Sequence, residues 1–127
     1  MADFVLDASA IMAVIFNEPG EKVVRSQSGI GAASAVNISE VYARAVERGL
    51  QEASVEAAIR TLRIERHEFA EGHDVETARL RPLTRHLGIS LADRACLALA
   101  RRLALPVFTA DRRWAKLKIG VDVRLIR

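Results

Sequence analysis

The stretch Phe4-Val5-Leu6-Asp7-Ala8-Ser9-Ala10 decides how the rest of the chain reads. An apolar run of strand type ends abruptly in a carboxylate. Helical periodicity then starts at once, with Ile11, Val14 and Ile15 at helical spacing. A strand that hands an acid to its C-terminal edge is how open α/β sheets build active sites. What matters in the remaining sequence is which other side chains reach that edge.

Outward from this stretch, residues 3–6 read as the first strand and 9–17 as a helix, stopped by the turn chemistry of Asn17-Glu18-Pro19-Gly20. Residues 21–28 predict a short surface helix. The small residues 31–35 predict a tightly packed second strand. A helix follows over 37–49, with Val36, Val41, Ala45 and Val46 on one face and Gly49 as its stop. The next helix, 52–62, turns Val55, Ile59 and Leu62 inward. Residues 64–69 alternate apolar and charged, as a short third strand does. Helix returns over 75–87, with Pro82 as a kink or register break, and Gly88-Ile89-Ser90 is a turn. Residues 91–103 read as the most apolar helix of the chain and a central one. A fourth strand, 106–109, delivers Asp111 just beyond its end. A short helix over 112–117 and a closing strand over 121–126, with Asp122 and Arg124 outward, complete the pattern. Strands alternating with helices imply parallel pairing and right-handed crossovers. The 127 residues contain no repeat, low-complexity tract or linker, which suits one domain over 1–127.

Half the residues are apolar and 28% are charged, a composition able to fill a single core. The chain begins Met-Ala-Asp and enters a strand directly, so no signal peptide and no membrane span are expected. Cys96 is the only cysteine, which rules out an intrachain disulfide and favours a reducing cytoplasm. A net charge of +3 is compatible with a nucleic-acid partner without establishing one. Aromatic residues are 5% of the chain, which argues against base stacking as the main grip on a single strand. The run Gly29-Ile30-Gly31 has the look of a dinucleotide loop but lacks a preceding strand and a third glycine.

Four acids occupy equivalent kinds of place. Asp7 follows the first strand and Asp111 the fourth. Glu40 lies in the first turn of the helix after the second strand, and Asp93 in the first turn of the long apolar helix. In a parallel sheet all four positions lie on one edge, so their side chains can meet in one cleft. Taken singly, each has a structural explanation: Asn37-x-x-Glu40 and Ser90-x-x-Asp93 resemble capping boxes, and Asp7 and Asp111 suit helix N-caps. Taken together, four unpaired carboxylates repel unless a cation is present, and hard oxygen ligands suit Mg²⁺ or Mn²⁺. Such a site supports phosphodiester hydrolysis without a side-chain nucleophile.

No other constellation competes well. There is no Gly-x-Ser-x-Gly elbow, and Cys96 shares an apolar helix face with Ala92 and Leu99. His67 and His73 have the wrong spacing for a zinc signature. Ser9 and Thr109, each two residues from an acid, either bond to the carboxylates or a metal-bound water or cap a helix. Arg112, Arg113, Lys116 and Lys118 form a basic cluster that is either a solvated face or a grip on phosphates. Arg44 and Arg94 either do likewise or pair with the acids. Trp114 reads as a packing anchor.

Four segments in order now make the chain recognisable: Phe4-Val5-Leu6-Asp7-Ala8-Ser9-Ala10, Asn37-Ile38-Ser39-Glu40-Val41, Leu91-Ala92-Asp93-Arg94-Ala95-Cys96-Leu97-Ala98-Leu99-Ala100 and Val107-Phe108-Thr109-Ala110-Asp111. Together they resemble a PIN-domain ribonuclease, and most closely the VapC toxins of bacterial type II toxin–antitoxin pairs. The resemblance implies a three-layer α/β/α sandwich around a mostly parallel sheet, and an endoribonuclease dependent on Mg²⁺ or Mn²⁺. It implies a cognate VapB antitoxin that blocks the site, a toxin homodimer, and targets that are often structured RNAs such as tRNA. By the family pattern Asp7 and Asp93 are the firmest metal ligands, with Glu40 and Asp111 completing the catalytic acids.

Two other classes fit these residues less well. A catalytically inactive PIN-like module that binds RNA or protein would lack turnover, and the intact acid set argues against it. A phosphoacceptor domain using Asp7 wants a second acid two residues on, where this chain has Ser9. Apolar residues on outer helices (Val14, Ile15, Phe16, Ala57, Ala58) are candidates for a dimer interface.

Overall fold

A computed structural model describes residues 1–127. Its central strand β1 (Phe4–Leu6) turns successive side chains to opposite faces, and that alternation sets the layers. Phe4 and Leu6 enter one core with Ala33, Phe108, and the inward faces of α1 (Ala8–Ile15), α3 (Ala35–Glu47) and α4 (Glu52–Thr61). Val5 enters a second core with Ala32, Val107, Trp114 and the middle of a later helix, Leu91–Leu103. The sheet is thus covered on both faces, the three-layer arrangement predicted.

All five strands run parallel, in the order β3-β2-β1-β4-β5, with β2 at Gly31–Ser34, β3 at Glu65–His67, β4 at Val107–Thr109 and β5 at Val123–Leu125. A parallel sheet needs helical crossovers, and the chain supplies them through α2 (Glu21–Arg25), α5 (His73–Arg79), α6 (Arg81–Thr84) and α7 (Leu91–Leu103) besides those named. Two 3₁₀ turns, Arg85–Leu87 and Arg112–Lys116, complete the elements. The small residues of β2 are there for close approach. A Cβ on Gly31 would lie 2.7 Å from Phe4 Cε2 and 2.9 Å from Leu6 Cδ1.

Several elements differ from the sequence expectation. The third helix begins at Ala35, not near residue 37, because Ser34 caps it by accepting from Val36 N–H. The proposed Asn37–Glu40 capping box does not form. Val46, expected inward, is half exposed. The helix expected over 75–87 is three short pieces: the first break adjoins Pro82, which removes a backbone donor, and the second falls at Thr84, whose φ is −122°. The first helix, not the long one, is the most apolar, since α7 carries Asp93, Arg94, Arg101 and Arg102 at its ends. α7 is nevertheless central, with Ala95 through Ala100 all buried. Val14 belongs to the chain's own core, while Ile15 and Phe16 pack against it and stay half-buried.

Candidate functional site

Asp7 is the first residue past the central strand. Its N–H still bonds to Phe108 O, so strand geometry fixes its backbone. The side chain is 3% exposed. Ser9 and Thr109 both donate to its Oδ2, at 2.6 and 2.9 Å. Their hydroxyls are themselves aimed: Ser9 Oγ accepts from Ala110 N–H and Thr109 Oγ1 from Asp111 N–H, at 2.9 and 3.0 Å. With a lone pair of each oxygen committed to a backbone donor, the hydroxyl protons are left for the carboxylate. Burial nevertheless dominates. It pushes the Asp7 carboxyl up from 3.8 to about 6, against the two hydroxyl bonds and with some help from the charge of Asp93.

The helix ends that carry Glu40 and Asp93 are joined by Asn37. That residue is fully buried, and its Nδ2 donates to Ala92 O at 3.0 Å. The bond ties the first turn of α3 to the first turn of α7. Asp93 also closes a capping box, with its N–H bonding to Ser90 Oγ at 3.1 Å and its Oδ2 accepting from Ser90 N–H at 3.3 Å. The structural explanation of this acid therefore holds alongside its place in the site. Cys96 lies beneath the group, fully buried. Desolvation pushes its thiol up strongly, and the charges of Asp7, Asp93 and Glu40 add to the effect.

Asp111 stands differently. It caps the 3₁₀ turn by accepting from Arg113 N–H at 3.0 Å, and its carboxylate is gripped by the Arg113 guanidinium through Nε at 3.0 Å and Nη2 at 2.5 Å. Arg113 holds this carboxyl below its usual range. The same guanidinium donates to Leu87 O at 2.9 Å and stands 3.9 Å from Asp93 Oδ2.

A single cavity of about 530 Å³ is lined by Asp7, Glu40, Asp93 and Asp111 together. Its donors are hard carboxylate oxygens, the chemistry that suits Mg²⁺ or Mn²⁺. No three His, Cys, Asp or Glu side chains, however, stand close enough to clasp an ion as arranged here. Two causes are visible: Asp111 is held by Arg113, and one oxygen of Asp93 is held by its own cap.

The basic residues sort less simply. Arg44 and Arg113 line the cavity. Arg94 does not: it donates to Thr77 O at 3.4 Å, on the α5 side. Arg112 donates to Arg127 O at 3.0 Å, and neither it nor Lys116 reaches the cavity wall. Arg48 and Arg127 do line it and were missed from sequence. The i, i+4, i+8 spacing of Glu40, Arg44 and Arg48 was the available signal for the first; nothing local marks the second.

The chain belongs to the PIN-domain family, whose model matches residues 4–120. Its fold matches the DNA-bound VapBC of Salmonella typhimurium at 20% identity and a TM-score of 0.75, covering 100% of both chains. It also matches VapBC-5 of Mycobacterium tuberculosis at 25% identity and a TM-score of 0.65, over 100% of this chain and 99% of that one. A third match is VapC20 of the same organism, described as a sarcin–ricin loop cleaving toxin. There the identity is 18% and the TM-score 0.68, over 94% of this chain and 99% of that one. No curated protein matches the sequence.

Proposed function

We propose that this PIN-domain protein is the toxin of a type II toxin–antitoxin pair and a divalent-metal-dependent endoribonuclease. The observation that carries the reading is the cavity at the C-terminal edge of a parallel sheet, where Asp7 shares a wall with Glu40, Asp93 and Asp111. The likeness to VapBC complexes and to a loop-cleaving VapC supports it. A cognate VapB-type antitoxin, a toxin homodimer and a cytoplasmic setting follow from the same likeness. No helix is long and apolar enough to cross a membrane.

Asp7, Glu40 and Asp93 would hold Mg²⁺ or Mn²⁺, with Asp111 joining them on leaving Arg113. Held by these acids, a divalent ion would supply charge to orient the scissile phosphate, to acidify an attacking water and to offset charge on the leaving oxygen. The chain's own residues do the positioning. Ser9 and Thr109 hold the Asp7 carboxylate in one orientation. The cap on Asp93 fixes that acid on the helix terminus. Arg44 and Arg113 stand at the wall to meet phosphate oxygens.

Purified protein freed of antitoxin is expected to cleave RNA only with Mg²⁺ or Mn²⁺ present, and Asp7→Asn or Asp93→Asn to abolish cleavage. Undiminished cleavage by both variants in chelator would overturn the reading. Sequencing RNA ends after brief expression in cells would identify the target, tRNA or otherwise.

A further inference from the structure

The basic side of the cavity is organised by a turn that the acids do not use. α1 ends with Asn17 in the left-handed region (φ 53°), and Glu18 N–H bonds back to Ala13 O at 2.8 Å. The turn continues through Pro19 to Gly20, whose φ of 98° favours glycine and where a Cβ would lie 2.6 Å from Ile126 O. This close packing holds the turn against the segment after β5. Two arginines are fastened to it. The Arg48 guanidinium lies over the Phe16 ring, 3.8 Å from its centroid, and its Nη1 is 3.7 Å from Glu18 Oε2. Arg127 Nη1 donates to Pro19 O at 2.8 Å. Arg44, one helical turn before Arg48 on α3, lines the same wall.

The charges around the cavity divide accordingly. Glu18 faces Arg48, and Arg113 faces Asp111. Arg44 and Arg127 have no carboxylate partner in any ion pair of the structure, yet both line the cavity. A guanidinium stacked on a ring and backed by a carbonyl or a carboxylate keeps outward N–H groups and loses little freedom on meeting a phosphate. Glu40, Arg44 and Arg48 run along one face of α3 over about 12 Å, leading from the acids to this rim.

We propose that Arg44, Arg48 and Arg127 form the phosphate-gripping rim of the site, so that the RNA backbone leaves the acids along the turn at residues 16–20. Arg94, Arg112 and Lys116 take no part in direct phosphate contact. Arg112 instead braces the Arg127 backbone. The proposal rests on the ribonuclease reading, but it concerns binding rather than cleavage, and the two are separable.

The test is fluorescence anisotropy of a labelled single-stranded RNA oligonucleotide in EDTA, across a KCl series. Arg44→Ala, Arg48→Ala and Arg127→Ala are each expected to weaken binding several-fold. Each should also reduce the slope of log affinity against log salt by about 0.7. Lys116→Ala is expected to leave both quantities unchanged. Phe16→Leu keeps the Arg48 charge and is expected to weaken binding less than Arg48→Ala. Melting temperatures close to wild type identify the variants that remain folded. Rim variants that bind with wild-type affinity and slope would overturn the proposal. So would rim variants that keep RNA affinity but lose binding to a poly-glutamate peptide, because the rim would then serve a protein. Wild-type protein that binds no RNA in this assay but cleaves RNA with Mg²⁺ would overturn the rim alone, whereas failure in both would remove the ribonuclease reading as well. Loss of cleavage in Asp7→Asn with RNA binding retained would support both.

Discussion

Asp7 and Asp111 are the same residue at equivalent ends of adjacent parallel strands, in one cavity, yet they are held in opposite ways. Asp7 is buried, bonded by neutral hydroxyls at Oδ2 with no cation beside it, and raised to about 6. Asp111 is partly exposed, chelated by Arg113, and lowered. Topology brought both acids to the edge. What surrounds each one, a low-dielectric floor or a guanidinium, decides whether it still needs a cation. The difference leaves Asp7 the acid whose charge, once ionised, has no counter-charge beside it, and Asp111 the one already compensated.

The largest test of this contrast is cleavage itself. Asp7→Asn is expected to reduce divalent-dependent RNA cleavage to background, whereas Arg113→Gln, which frees Asp111, leaves it measurable. Equal loss in both would erase the distinction.

Removing the orienting hydroxyls comes next. Ser9→Ala or Thr109→Val is expected to lower cleavage by roughly 10–100-fold, the range for groups that orient metal ligands. Each should raise the Asp7 pKa further, seen as an upward shift of the acid limb of the pH–rate profile.

Stability then separates the two acids by sign. A carboxyl whose folded pKa is raised holds its proton longer in the native state, so stability falls as pH climbs from about 4 to about 6. In chelator the ionised Asp7 therefore costs on the order of 2–3 kcal/mol above pH 6. Asp7→Asn is expected to raise the melting temperature at pH 7 and to change it little at pH 4. Mn²⁺ should raise that of the wild type. For Asp111, whose pKa is lowered, the stabilising contribution is full at neutral pH and is lost as acid protonates it.

The smallest effect belongs to the exposed Arg113–Asp111 pair as a stabilising contact. Arg113→Gln is expected to cost under about 1 kcal/mol in thermal unfolding, while titration calorimetry reads a tighter Mn²⁺ affinity. Unchanged affinity would mean that Asp111 lies outside the ligand set.

Much of the architecture was legible because it follows from local pattern. The apolar run ending at Asp7, the small residues of β2 and the periodicity of α7 each specify one element and its direction. The parallel arrangement follows from their alternation. The start of α3 was misplaced because Ser34 and Asn37 are both residue types that cap, and only the tertiary bond of Asn37 to Ala92 O tells them apart. The gathering of Asp7, Glu40, Asp93 and Asp111 around one cavity was inferable from topology. That Arg113 claims Asp111 was not, since it turns on one rotamer. Arg127 could not be found from sequence, because what aims it is the carbonyl of Pro19, 108 positions away.

The hydroxyl of Thr109 reaches back 102 positions to hold Asp7, and the strand that carries it borders β1 in the middle of the sheet. The aim of this acid is therefore a property of the assembled sheet and not of the short loop that follows β1. A fragment without β4 would keep the carboxyl and lose both its neighbouring strand and one of the two hydroxyls that point it.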